Sequence, residues 1–319
     1  MHNIFTADIG GTNSRFAVFG ADRTGRLSLR ETSWLKTTDF GSFGQLIHNV
    51  NEIGMSLKPG EADMVVIAVA GPVENGVRSA PPFISWDIDI SGAERDFGFR
   101  KSALINDFIA QAFACQSPVA EAAELVLEGV ASPDAAKAVI GAGTALGKAA
   151  LMPDGRGGYI AIPSEGGHAN FPFLPGRETE FQEFLLKELG DTYITNNKVV
   201  SGRGLSYVHQ FLTGEKMEPH EVAGNIVRNP DTLEWASRFY GRACRNYALE
   251  TLSLGGLYIA GGVAAKTSEL VTHEVFGTEF RKSDTLAPLL EKIPVFLIKD
   301  ENSGLWGGAV FGLQVLQGR

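Results

Sequence analysis

Asp8-Ile9-Gly10-Gly11-Thr12-Asn13-Ser14-Arg15 follows an apolar run that starts at Ile4, and the apolar pattern resumes from Arg15 to Phe19. The reading is strand, tight turn, strand. A glycine pair in such a turn lets backbone N–H groups face phosphate oxygens with no side chain in the way. Thr12 adds a hydroxyl donor. Asp8, at a strand end, can hold water around Mg²⁺, which prefers carboxylate, phosphate and water oxygens. Taken alone, the same residues also describe an ordinary hairpin. They match neither the Walker A loop nor the Rossmann fingerprint, because no Gly-Lys-Ser/Thr occurs at the needed spacing.

The pattern recurs. Ala138 to Leu151 reads as a second strand, turn and strand around Ile140-Gly141-Ala142-Gly143-Thr144-Ala145-Leu146-Gly147. Gly11-Thr12 and Gly143-Thr144 superpose at an offset of 132 residues. So long a period predicts a duplicated domain, not a solenoid. A chain of 319 residues also exceeds one ordinary core, so two lobes are the starting point. Two hairpins at equivalent places in two lobes would grip a triphosphate from both sides. Lys148, just beyond the second turn, reads as a solvated lysine.

The intervening sequence fills in an α/β pattern. Met64 to Ala70 is a buried strand ended by Gly71-Pro72, and Ala103 to Ile105 is a strand tip. Phe108 to Ala114 is helical, with Asp107 in a natural N-cap position. Glu178 to Leu189 places Phe181, Phe184, Leu185 and Leu189 on one helix face. Ser201-Gly202-Arg203-Gly204 opens a helix through Leu212, and Thr213 to Pro230 reads as a polar loop with a short helix. Leu233 to Leu254 is a long helix. Leu257 to Ala260 is a strand ended by Gly261-Gly262, Val295 to Ile298 is the last strand, and Leu305 to Leu316 is a glycine-rich final helix.

Three further constellations carry chemistry. Asn106-Asp107 sits at the carboxyl end of an apolar strand, where α/β sheets open their ligand crevice. In phosphoryl transfer an aspartate there accepts the attacking hydroxyl's proton; helix capping is the plainer reading, and the two are compatible. Glu165-Gly166-Gly167-His168 puts a carboxylate and an imidazole in a glycine turn. This suits sugar hydroxyls, or is simply a solvated surface turn. Zinc fits poorly, because no second His or Cys lies near. Gly261-Gly262 is a bare strand-to-helix turn that either stacks under an adenine or only packs closely.

Composition narrows the partners. Net charge is −9 and no basic cluster occurs, which argues against nucleic acid and acidic membrane. No stretch approaches the roughly 18 apolar residues of a spanning helix. The N-terminus shows no export signal, and the two cysteines, Cys115 and Cys244, form neither a zinc pattern nor a disulfide framework. The expectation is a cytoplasmic protein. Glycine is abundant, 38 of 319 residues against an average of roughly 7%, and it clusters after apolar strands.

In order along the chain, Asp8-Ile9-Gly10-Gly11-Thr12-Asn13, Ile105-Asn106-Asp107-Phe108, Gly141-Ala142-Gly143-Thr144, Glu165-Gly166-Gly167-His168, Val200-Ser201-Gly202 and Ile259-Ala260-Gly261-Gly262 resemble the motifs of bacterial glucokinases of the hexokinase-like type. The resemblance implies an α/β, two-lobed actin-like ATPase (ribonuclease H-like) fold with a central cleft. It implies a small lobe of residues 1–115 plus 301–319 and a large lobe of residues 116–300. It assigns Asp107 as catalytic base, and Asn106, Glu165, His168 and Asn197 as sugar ligands. ATP contacts fall to Ala7, Asp8, Ile9, Gly10, Gly11, Thr12, Asn13, Gly141, Gly143, Thr144, Gly261 and Gly262, with Mg²⁺ held by Asp8 through water. It also implies a homodimer. Two departures lie on the sugar side: Asn197 stands where the family carries Glu, and Pro81-Pro82-Phe83-Ile84-Ser85-Trp86 replaces a Thr-Asn-aromatic loop.

Other readings remain at this point. The acceptor could be another hexose or an amino sugar. A non-catalytic sugar sensor keeps the fold but carries an N-terminal DNA-binding module, for which this chain has no room before the first hairpin. A generic ATPase explains the glycine hairpins but not Asn106-Asp107 together with Glu165 and His168.

Overall fold

In the computed structural model, which describes residues 1–318, the hairpin turns are the pivots of two separate sheets. Among the strands are β1 (His2–Ile9), β2 (Asn13–Ala21), β3 (Leu27–Lys36), β4 (Met64–Val69), β5 (Ser102–Asn106), β6 (Glu124–Leu127), β7 (Lys137–Ala142), β8 (Leu146–Pro153), β9 (Leu257–Ala260) and β10 (Val295–Leu297). The main helices are α1 (Phe43–Glu52), α2 (Asp107–Ala114), α3 (Arg177–Leu189), α4 (Asn196–Val199), α5 (Gly202–Thr213), α6 (Pro230–Thr251), α7 (Gly262–Lys266), α8 (Glu274–Arg281) and α9 (Ser303–Leu316). The chain divides into two units: Met1–Ala122 with Pro153–Pro163 and Asp300–Arg319, and Ala123–Met152 with Ser164–Lys299. The segment Pro153–Pro163, placed with the second lobe from sequence, sits in the first unit. There Gln314 of α9 holds it, bonding both the N–H and the C=O of Tyr159 at 2.9 Å.

The first unit's sheet runs β3-β2-β1-β4-β5. β1 is antiparallel to β2 and parallel to β4, and β4 is parallel to β5. Side chains alternate across such strands. Phe5, Ala7 and Ile9 therefore pack toward α1, on Phe43, Leu46 and Ile47. Ile4 faces the other way, with Leu305 and Ala309 of α9. β4 is buried along its whole length, as expected for a strand covered on both faces.

The second unit contains the order β8-β7-β9-β10-β6. β7 is antiparallel to β8 and parallel to β9, and β9 is parallel to β10. Four strands thus repeat the first unit's pairing, which makes the sequence echo a structural duplication. Its core joins α3, α5 and α6 through Phe181, Leu205 and Phe239. Arg242 of α6 is fully buried and pairs with Glu178 of α3 at 2.5 Å and Glu279 of α8 at 2.8 Å. Among the described residues no helix is long and apolar enough to cross a membrane.

Candidate active site

In the first unit, Ile9, Val69 and Asn106 lie side by side at the carboxyl ends of β1, β4 and β5. With strands about 4.8 Å apart, the two outer positions are about 10 Å apart. The turn Gly10–Asn13 and Asp107 therefore leave one edge of one sheet. Ala7 and Ile9 are buried and can offer a ligand only backbone, while Thr12 and Asn13 are exposed. Gly10 N–H closes the turn on Asn13 O at 3.0 Å. A Cβ on Gly11 would stand 2.8 Å from the Phe83 carbonyl oxygen. The Pro81–Trp86 segment thus packs on the phosphate turn, and Trp86 anchors it by donating to Phe40 O at 2.8 Å.

The helix start differs from the sequence reading. Asn106, not Asp107, is the N-cap of α2. Its Oδ1 accepts from Phe108 N–H at 2.8 Å and Ile109 N–H at 3.3 Å, and its Nδ2 donates to Gly71 O at 3.0 Å. Asp107 is the first helical residue, and its Oδ1 accepts from Phe108 N–H at 2.9 Å. Residue type did not separate the two, because Asn and Asp cap equally well.

Asp8 lies 3.6 Å from Arg15 Nη1, with only 19% of its side chain exposed. Burial raises its pKa, and Arg15 opposes the rise. One cation at that distance leaves the carboxylate short of positive charge. Among the described residues no group of three or more His, Cys, Asp or Glu side chains could hold a metal ion, so a protein cage is absent. A single carboxylate suits Mg²⁺, which keeps most of its waters and binds through one or two carboxylates plus phosphate.

In the second unit three turns meet. Gly143 N–H closes its hairpin on Ala145 O at 2.8 Å, and Gly143 O accepts from Gly202 N–H at 3.0 Å. Gly202 opens α5 beside Val263 of α7. Gly261 is held at φ +87°, and a Cβ there would meet the Ala142 oxygen at 2.6 Å. Gly143 and Gly262 are different: a Cβ on either would meet nothing within 4 Å, and neither has a positive φ. Nothing in the chain's own packing calls for glycine at these two positions. Thr144 is exposed between them and β8, whereas Gly141 is buried opposite Gly147.

Glu165 and His168 stand up from a short 3₁₀ turn, 55% and 71% exposed, with Oε2 and Nε2 4.0 Å apart. The turn is fixed from beneath by Asn196, which the sequence did not single out, and by Asn197, which the resemblance assigned as a sugar ligand. Asn196 Nδ2 donates to Gly166 O at 3.1 Å and Ala169 O at 2.9 Å. Asn197 Oδ1 accepts from Leu146 N–H at 2.8 Å, tying α4 to the start of β8. A Cβ on Gly167 would run into Asn197 Oδ1 and Leu146 O. Asn197 therefore faces the hairpin with its oxygen and keeps only its amide NH₂ for another partner. Lys148 is not solvated. It is 3% exposed, runs beneath Gly166, and places Nζ 5.1 Å from the Tyr247 ring centre. Burial lowers its pKa, with Glu250 and Cys244 acting the other way. Its place on a strand with a covered inward face was the available signal.

Comparison with known proteins adds four findings. A glucokinase family profile matches residues 5–315. A glucokinase of Trichormus variabilis is 30% identical, the alignment covering 96% of this chain and 98% of the relative. Among solved structures, a glucokinase from an Antarctic psychrotroph is similar at TM-score 0.82 and 25% identity, covering 98% of this chain and 99% of the other. A Balamuthia mandrillaris glucokinase in complex with glucose is similar at TM-score 0.78 and 22% identity, covering 98% and 94%.

Proposed function

We propose residue roles for a chain that belongs to the glucokinase family and is an ATP-dependent glucose kinase. Asp107 is the catalytic base. Its carboxylate takes the proton of the sugar's 6-hydroxyl as that oxygen attacks the γ-phosphorus. The bond from γ-phosphorus to the β,γ-bridging oxygen breaks, and ADP leaves. The observation that carries this reading is the register of β1, β4 and β5. It puts Asp107 on the same sheet edge as the Gly10–Asn13 turn. Phe108 N–H orients the carboxylate, and Asn106, by capping α2, fixes the angle at which Asp107 leaves the strand.

Gly10 and Gly143 donate within their own turns. Phosphate oxygens therefore fall to Gly11, Thr12, Asn13 and Thr144, and the bare surface at Gly143, Gly261 and Gly262 takes the rest of the nucleotide. Mg²⁺, bound through water at Asp8, would neutralise charge on the β- and γ-phosphates. Glu165 and His168 take sugar hydroxyls, with Asn106 and the Asn197 amide NH₂ as further donors. The reading extends to a cytoplasmic homodimer with Cys115 and Cys244 kept as thiols.

An ADP-release assay over a panel of hexoses tests the acceptor, and glucose should give the highest kcat/KM. Asp107→Ala should lower kcat by about 10²–10⁴-fold, with ATP affinity by calorimetry unchanged. A rate near wild type would remove Asp107 from the base role.

A further inference from the structure

Gln111 lies one helical turn beyond Asp107 on α2. Its Oε1 is buried and accepts no hydrogen bond from any described residue. Its Nε2 would stand 3.4 Å from a Cβ built on Gly304, and Asp8 Oδ2 would stand 3.1 Å from the same point. The two side chains thus converge on one bare Cα at the start of α9. Arg15, which lies 3.6 Å from Asp8, also has a buried Nε without a hydrogen-bond partner among the described residues.

A buried amide oxygen left unmatched is costly and calls for an explanation such as a water or ion. A residue placed there for packing alone would be better served by Leu or Met, which carry no polar atoms. A half-turn about the last side-chain bond of Gln111 exchanges its oxygen and nitrogen at nearly the same volume. The amide can therefore donate toward Asp8 in one orientation and present an acceptor in the other. Partners in the outer shell of a metal site orient its inner ligands in this way.

We propose that Gln111 is a positioning residue for the hydrated divalent cation that accompanies the nucleotide, accepting a hydrogen bond from a water of the cation's shell beside Asp8. The inference rests on the reading of Asp8 as the seat of that hydrated cation. Gln111 touches neither the sugar nor the reacting phosphorus in this scheme. Its effect is on how tightly and in what orientation the cation is held.

The test uses Mn²⁺ as the probe, with free Mn²⁺ followed by electron paramagnetic resonance as it binds the full-length protein with ADP. Asp8→Asn is the reference. Gln111→Leu should weaken Mn²⁺ about tenfold, while Gln111→Glu, which keeps an acceptor, should hold wild-type affinity or better. Thermal stability of the ligand-free Gln111→Leu variant should not fall, since an unmatched polar atom is removed. Should Gln111→Leu fail to fold, Gln111→Met is measured in the same way. If Asp8→Asn weakens Mn²⁺ and the Gln111 variant does not, the positioning role is overturned and the Asp8 reading stands. If Asp8→Asn itself leaves Mn²⁺ unchanged, both are overturned.

Discussion

The two hairpin turns stand at matching places in sheets of the same pairing, yet they need glycine for different reasons. In the first unit, Gly11 is pressed against the backbone of Phe83, so the turn is shaped by the protein itself. In the second, Gly143 and, beside it, Gly262 face open space with ordinary φ. A glycine that contacts only its own chain reports on folding. A glycine that neither packing nor backbone requires reports on something outside the chain. The contrast gives Gly11 a structural duty and leaves Gly143 and Gly262 with none in the chain's own packing, in line with the nucleotide role proposed for them.

That contrast can be broken by paired substitutions. The largest effect belongs to Gly11→Ala. Its Cβ would enter within 2.8 Å of a carbonyl oxygen, and overpacking of that kind costs about 1–3 kcal/mol. Urea denaturation should show the loss without any ligand present. Stability equal to wild type would mean that the Phe83 contact yields freely. Next come Gly143→Ala and Gly262→Ala. Ligand-free stability should hold, while the KM for ATP rises several-fold, about 1 kcal/mol of lost binding or less. If instead they unfold the protein and leave KM alone, the distinction between the turns is lost.

The smallest effect concerns Asp8, whose folded pKa is raised by burial against the help of Arg15. A raised carboxylate pKa means that the native state binds its proton more tightly than the unfolded state. Whatever Asp8 contributes to stability is then present below its unfolded value near 3.8 and is lost as pH rises through the folded pKa. Ligand-free Asp8→Asn should therefore match wild type near pH 4 and be the more stable of the two at pH 7.5 in thermal melts. A less stable variant at pH 7.5 would show that the Arg15 pair outweighs burial. On the proposed role of Asp8 as the cation's seat, saturating MgADP should reverse the order.

Much of this site was legible as sequence because it consists of turns. Gly-Gly-Thr after an apolar strand, Asn-Asp at a strand tip and Glu-Gly-Gly-His each announce themselves within a few residues, since turn geometry is set by the residues that make it. The lateral supports were not legible. Asn196 reaches Gly166 O across the chain, Asn197 reaches Leu146 N–H, and Gln111 approaches Asp8 over Gly304. Each joins segments far apart in sequence, and a single sequence read by itself carries no signal of such pairings. The N-cap of α2 fell between two adjacent residues of equal capping ability. Lys148, just beyond a turn, reads as solvated, and only the packing of Tyr247 and Gly166 around it reverses that.

The order of strands and helices, the duplication and the positions of the turns follow from periodicity and turn chemistry, which act over a few residues and so survive in a bare sequence. Whether Asn106 or Asp107 caps α2, whether Lys148 is buried, and where Pro153–Pro163 belongs were decided by contacts between distant segments. Those contacts exist only once the chain has closed on itself, because burial and hydrogen-bond partnership belong to the packed arrangement and not to any residue alone.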